Sequence, residues 1–123
     1  MNMRQLKAYE LELIKTLLMI DFKLAEVIIP TLNNVLVNEA NDGGMGGLQF
    51  ISSIADSDRI FGRVVSEAEF LDEDEVLVSV ELSLDTNNQL FELDVWKVDY
   101  SPVSRWPDLG QIVIKRIQQT EQE

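Results

Sequence analysis

The sequence contains no cysteine and no histidine among its 123 residues. Without cysteine the chain has no disulfide, no thiolate metal site and no thiol nucleophile, and nothing in it requires an oxidising compartment. Without histidine it lacks the commonest general base and the commonest transition-metal ligand. These two absences exclude hydrolysis by serine–histidine or cysteine–histidine pairs, and they exclude histidine-based zinc chemistry.

Positive charge is also scarce, because 10 Lys and Arg stand against 22 Asp and Glu, for a formal net charge of −12. Nucleic acids and anionic membranes attract clustered basic residues, so neither is expected as a partner. The charge favours fast, salt-sensitive association with basic proteins, although it also serves solubility alone.

Long apolar runs are absent from the sequence. No window approaches the ~18 apolar residues of a membrane span. Glu10, Glu12 and Lys15 interrupt the first apolar stretch, so no signal-peptide core is predicted. We therefore expect a cytoplasmic protein.

What is present indicates one folded domain over residues 1–123, since 46% of the residues are hydrophobic. Helical spacing of Leu6, Leu13 and Leu17 predicts a helix over residues 4–19. A second helix is predicted to follow, with Asp21 as its N-cap and Pro30 ending it near residue 29.

The hydrophobic period changes from near 3.6 to 2 after residue 34, which predicts strands. The predicted strand segments are 34–40, 48–52, 62–71, 76–84 and 90–100. Residues 111–117 fit either a strand or a helix, and residues 118–123 are expected to be a frayed tail. The predicted fold class is α+β, with an N-terminal helical hairpin followed by an antiparallel sheet (meander) of four or five strands.

The glycine-rich stretch at residues 41–47 contains four glycines. Its backbone N–H groups are of the kind that cradle a phosphate. No lysine follows, and the next residues look extended, so the pattern favours a hairpin turn over a phosphate loop.

An acidic run carries six carboxylates within nine positions, namely Glu67, Glu69, Asp72, Glu73, Asp74 and Glu75. It suits a solvated hairpin tip that discourages edge pairing, a docking surface for a basic protein, or a cation site. The spacing does not match an EF-hand loop.

The strand predicted over residues 91–100 places Glu92, Asp94 and Trp96 on one face. Two carboxylates beside an aromatic suit an acid–base pair of the glycosidase kind or a binding face. They equally suit a structural arrangement in which Lys97 pairs with Asp99 or Glu92, while Trp96 and Tyr100 cover the sheet under the helices. The adjacent pair Arg105 and Trp106 has the residue types of an interface anchor.

Two motifs resemble a family of small bacterial domains that has no assigned activity. They are Asp42-Gly43-Gly44-Met45-Gly46, and the run from Phe91-Glu92-Leu93-Asp94 through Trp96-Lys97-Val98-Asp99 to Ser101-Pro102. The resemblance covers residues 4–108. Small acidic domains of this general kind are often immunity proteins encoded beside secreted toxins, including contact-dependent inhibition systems. The resemblance supplies no catalytic residue and no cofactor.

The leading hypothesis is therefore an immunity-type protein, not an enzyme, that binds a basic cognate toxin domain. Its partner-binding residues are predicted to be Glu67, Glu69, Asp72, Glu73, Asp74, Glu75, Glu92, Asp94, Trp96 and Trp106. No metal and no cofactor are expected. The alternatives are a carboxylate-based enzyme using Glu92 and Asp94, with or without a divalent cation, and a regulatory subunit that self-associates through a sheet edge.

Overall fold

The computed structural model describes residues 3–52 and 58–115 of the chain. These residues form a mixed α+β fold, in which two helices pack on one face of an antiparallel sheet of seven strands. The helices are α1 (Ala8–Leu18) and α2 (Phe22–Ile28). The strands are β1 (Arg4–Gln5), β2 (Leu36–Glu39), β3 (Leu48–Phe50), β4 (Phe61–Leu71), β5 (Leu77–Asp85), β6 (Leu90–Lys97) and β7 (Val113–Lys115).

The strand order across the sheet is β1-β2-β3-β6-β5-β4-β7. The central strands β4, β5 and β6 form the predicted meander. The β2–β3 hairpin joins it through β6, and β7 returns to the outer edge of β4. The prediction of four or five strands was thus wrong for the described residues, because β1 and β7 are too short to show a period of 2.

The first helix begins later than predicted, at Ala8, because Arg4 and Gln5 pair with β2. The N-cap of the second helix is confirmed, since the Asp21 carboxylate accepts a hydrogen bond from the Leu24 N–H at 3.2 Å. Pro30 lies in the 3₁₀ turn Ile29–Asn34 that follows α2, so the second arm of the predicted hairpin is short and irregular.

The hydrophobic core lies between α1 and the inner face of the sheet. Leu13, Ile14 and Leu17 of α1 are buried together with Val80 and Leu82 of β5. Burying one such side chain contributes about 1.5–3 kcal/mol, so this layer dominates the stability of the fold. The other face of the central strands, termed the open face below, carries polar residues.

The C-terminal segment that sequence left undecided contains strand β7, and residues 116–123, including the predicted tail, lie outside the described residues. No described helix has the length and apolar character that crossing a bilayer would need.

Candidate functional site

The open face carries a row of carboxylates across its three central strands. Glu67 of β4 lies opposite Glu81 of β5, and Glu81 lies opposite Asp94 of β6. Directly opposed residues on antiparallel strands have Cβ atoms about 4.5–5.5 Å apart, so like charges there repel one another. These three residues are called the acidic row. Glu69 and Glu92 flank it.

The acidic row brings three carboxylates close together. A hydrogen bond with Glu67, then burial, then repulsion by Glu67 and Asp94 raise the pKa of Glu81 to about 7. Within the described residues, no member of the row forms a salt bridge. Lys115 lies opposite Glu67 but binds Glu69, at 3.1 Å. The row therefore offers carboxylates that a basic group from outside would stabilise.

Replacing Glu81 by glutamine is expected to raise the free energy of unfolding at pH 8 by up to about 1 kcal/mol, a value kept low by solvent screening. The folded pKa, about 7, lies above the usual 4.5. The folded protein thus holds a proton that the unfolded chain releases, and this group's contribution falls as pH rises from about 4.5 to about 7. Urea unfolding at pH 5 and pH 8 measures the difference.

Glu26→Gln is the matched control, because Glu26 is exposed on α2. An equal pH dependence of unfolding in the wild type and in Glu81→Gln would contradict the shared proton.

An exposed apolar patch adjoins the acidic row on the open face. Its residues are the exposed Leu71, Trp96, Val98 and Tyr100 and the half-buried Leu77. Leu71 pairs with Leu77, and the rings of Trp96 and Tyr100 lie 6.2 Å apart between centroids. Trp96 is 45% exposed and Tyr100 is 70% exposed. The interpretation that these two rings lie under the helices is therefore wrong. Exposed apolar patches rimmed by charge are typical of protein interfaces.

Asp72, a predicted partner-binding residue, is buried inside the protein. Its carboxylate accepts a hydrogen bond from Lys97 Nζ at 2.8 Å, and from the backbone N–H groups of Ser104 and Arg105 at 2.7 and 3.1 Å. Burial alone would raise the pKa of Asp72, but the hydrogen bonds from Lys97 and the backbone outweigh it and hold the pKa far below its usual range. Asp72 is thus removed from the exposed surface.

Lys97 occupies the inner side of β6 and is 1% exposed. Its ammonium group binds Asp74 at 2.7 Å as well as Asp72. The hydrogen bonds that Lys97 donates to these two carboxylates raise the pKa of Lys97 to about 12. The predicted pairing of Lys97 with Asp99 or Glu92 is therefore wrong.

The acidic turn between β4 and β5 retains Glu73 and Glu75 as exposed residues. It continues the two strands directly beyond Leu71 and Leu77, so it borders the apolar patch. Asp74 in the same turn is 45% exposed but held by Lys97. The structure thus gathers Glu67, Glu69, Glu92, Asp94 and Trp96 on the open face, with Glu73 and Glu75 at its end.

Trp106, the second predicted anchor, does not join the open face. Its ring packs between Tyr9 of α1 and Phe70 of β4, with centroid distances of 5.4 and 5.3 Å. It also touches the glycine turn, where a Cβ atom on Gly46 would lie 2.8 Å from Trp106 Cζ2. Trp106 is therefore a packing residue on the helical side of the sheet.

The glycine turn binds a carboxylate of its own. The Asp42 side chain accepts hydrogen bonds from the backbone N–H groups of Met45 and Gly47 at 3.0 and 2.8 Å. Asp42 therefore occupies the N–H groups of Met45 and Gly47, as an aspartate does in an ordinary turn stabilised by its own side chain. These two donors are not available to a phosphate.

The carboxylates of the alternative enzyme lie two residues apart on β6, but they do not share a pocket. Glu92 lines a cavity on the open face, whereas the described lining does not include Asp94, which is exposed. Within the described residues, no group of three or more Asp or Glu side chains is arranged to hold a metal ion. Glu81, the central member of the row, was not among the predicted site residues. The alternation of β5 predicts which face Glu81 occupies, but it does not predict that Glu67 and Asp94 lie beside it on the neighbouring strands.

A family model for a domain of unknown function (DUF6984) matches residues 3–107. No curated protein and no solved structure matches the chain.

Proposed function

Since the chain belongs to the DUF6984 family, whose description gives no activity, we propose from the geometry that it is a binding domain whose open face docks a basic protein. The observation that carries this proposal is the acidic row, in which Glu67, Glu81 and Asp94 lie side by side and form no salt bridge with a described residue. An incoming lysine or arginine would relieve their mutual repulsion.

Charge and apolar contact have separate tasks in this proposal. The net charge of −12 and the acidic row attract a basic surface from a distance and raise the association rate. Trp96 lies about 7 Å from Asp94 along β6, because alternate strand residues are about 6.6 Å apart, and its apolar neighbours lie further along the same face. They would exclude water and prolong the complex, as aromatic anchors do.

The partner class that fits best is a toxin domain whose basic surface binds a polyanion. An acidic inhibitor occupies such a surface by presenting carboxylates in place of phosphates, as an immunity protein does in the cytoplasm of the toxin-producing bacterium. The alternative enzyme receives no specific support, because Glu92 and Asp94 do not line one pocket within the described residues.

The experiment reverses the charge of the acidic row with Glu81→Lys and Asp94→Lys together. The binding partner for the test is a basic toxin domain encoded beside the gene, if the gene has such a neighbour. Immobilised wild-type protein is expected to bind this domain at low salt. The double variant should associate at least about tenfold more slowly and lose most of the salt dependence of the rate. Surface plasmon resonance measures both quantities, and rescue of growth during toxin expression gives the biological result.

The matched control reverses Glu12 and Glu26, two exposed carboxylates on α1 and α2 away from the open face, for the same change in net charge. An association rate that falls equally in both double variants would mean that only the total charge matters. A rate that is unchanged in the Glu81 and Asp94 variant would remove the open face from the interface.

A further inference from the structure

A polar cavity of about 180 Å³ opens on the open face, at the end of β6 away from the apolar patch. Its floor is one cross-strand row, in which Asn38 of β2 lies opposite Gln49 of β3, and Gln49 lies opposite Glu92 of β6. Arg59 and Phe91 form its wall. The alternate residues Glu92, Asp94 and Trp96 of β6 belong to the cavity, the acidic row and the apolar patch, respectively, so these three features follow one another along the strand.

Two acceptors of this cavity, the Asn38 amide oxygen and the Glu92 carboxylate, lack a donor or a cation among the described residues. The Oδ1 atom of Asn38 is buried and has no hydrogen-bond partner among the residues that the structure describes. Such buried, unsatisfied groups are rare in folded proteins and costly to leave unpaired. Glu92 is half-buried and forms no salt bridge with a described residue. Burial first, and then Asp94, raise the pKa of Glu92 against the opposing effect of Arg59.

Arg59 directs three of its five N–H groups into the protein interior. Its Nε donates to Asp85 at 3.1 Å, and its Nη1 and Nη2 donate to the carbonyl oxygens of Phe50 and Leu90 at 2.7 and 2.6 Å. The side chains of Arg59 and Asp85 are 2% and 0% exposed, so their charges neutralise each other inside the protein. The net charge at the cavity is therefore that of Glu92.

We infer that this cavity receives the ammonium group of a lysine side chain from the basic partner, with Glu92, Asn38 and Gln49 as its acceptors. The inference rests on the proposed function and adds a specific contact to it. An ammonium group has three donors, which suits acceptors from three neighbouring strands, whereas a guanidinium presents a planar fork that suits one carboxylate. The cavity is smaller than the about 300–1,000 Å³ of small-molecule sites, so it fits a side chain.

The test is an NMR titration of the ¹⁵N-labelled protein with N-acetyl-lysine methylamide at low salt. We expect saturable shifts of the side-chain amide signals of Asn38 and Gln49. Glu92→Gln should weaken this binding by about tenfold, since it removes the charged acceptor. Asn38→Leu should also weaken it, yet keep or raise the urea midpoint, because the unpaired acceptor is gone. That combination separates lost binding from lost folding.

Glu73→Gln is the matched control, because it removes one exposed carboxylate far from the cavity and should change the binding by less than about twofold. Octalysine serves as the second probe. If octalysine binds the wild type but not the Glu81→Lys, Asp94→Lys variant, while the lysine amide leaves Asn38 and Gln49 unmoved, the cavity inference fails and the proposed function stands. If neither probe binds, both fail. If N-acetyl-arginine methylamide binds more tightly than the lysine amide, the ammonium assignment is overturned.

Discussion

Replacing Lys97 by methionine is expected to lower the urea midpoint by roughly a third to a half. Removing one partner of a buried ion pair costs about 3–5 kcal/mol, and a domain has only about 5–15 kcal/mol of stability in total. Here the substitution leaves the Asp72 carboxylate buried, with backbone N–H groups from Ser104 and Arg105 but no cation. It also releases Asp74 from the turn between β4 and β5. Urea unfolding followed by circular dichroism measures the loss.

Lys23→Met is the matched control, because Lys23 is exposed on α2 and the chemical change is the same. Substitutions at such surface positions usually change stability by no more than about 0.5 kcal/mol. Equal urea midpoints for the two variants would show that the buried ion pair between Lys97 and Asp72 contributes no more to stability than an exposed lysine does.

The pH dependence of unfolding gives the same prediction a second readout. The pKa of Asp72 is depressed below its usual 3.8, so its contribution is present above that value and is lost as pH falls through the folded pKa. The pKa of Lys97 is raised from 10.5 to about 12, so its contribution is present below 10.5 and is lost as pH rises to about 12. The wild type should therefore lose stability both below the usual pKa of Asp72 and between pH 10.5 and about 12. The Lys97→Met variant has no lysine at this site to deprotonate, so its stability should change little across the alkaline range.

The strand faces could be predicted from sequence because alternation is a local property of the backbone. Val78, Val80 and Leu82 are buried as their spacing predicts, while Asp94 and Trp96 face away from the core. The local pattern did not show which face the helices cover. The structural alternative, with Trp96 and Tyr100 under the helices, therefore placed these two rings on the wrong side of the sheet.

The strand order depends on contacts that no local pattern records. Leu48 of β3 pairs with Leu93 of β6, far away in the sequence, and this pairing places the β2–β3 hairpin beside β6. A β-bulge between Val64 and Ser66 also brings Val64 opposite Ser83, so Val64 departs from the alternation that Ala68 and Phe70 follow. The alternation of β4 therefore holds only beyond the bulge.

The sequence contains one indication that Lys97 is buried and paired with an acidic residue. Lys97 follows Leu93 and Val95 on the inner side of its strand, and a lysine in that position requires a buried acidic partner. Four consecutive acidic residues, 72–75, offered candidates, but their composition is the same as that of a solvated turn. Only the fold distinguishes the buried Asp72 from the exposed Glu73 and Glu75.

The glycine turn is the other place where tertiary contact explains a sequence motif. Gly43 and Gly46 both have positive φ, at +75° and +104°, but their surroundings differ. A Cβ atom on Gly43 would meet nothing within 4 Å, whereas one on Gly46 would lie 2.8 Å from the indole of Trp106. Gly43 is therefore required for its backbone conformation alone, whereas Gly46 is also required for the close approach of Trp106. Alanine substitutions at the two positions can separate these effects.

Replacing Gly46 by alanine is expected to lower the free energy of unfolding by about 2–4 kcal/mol, because backbone strain adds to displacement of the packed Trp106 ring. Gly43→Ala, which has the strain without the contact, should cost only about 1–2 kcal/mol. Urea unfolding measures both, and Trp106 fluorescence in a Trp96→Phe background should change in the Gly46 variant alone. Equal losses in the two variants, with unchanged fluorescence, would mean that the ring moves aside at no cost and that Gly46 is required for its backbone conformation only.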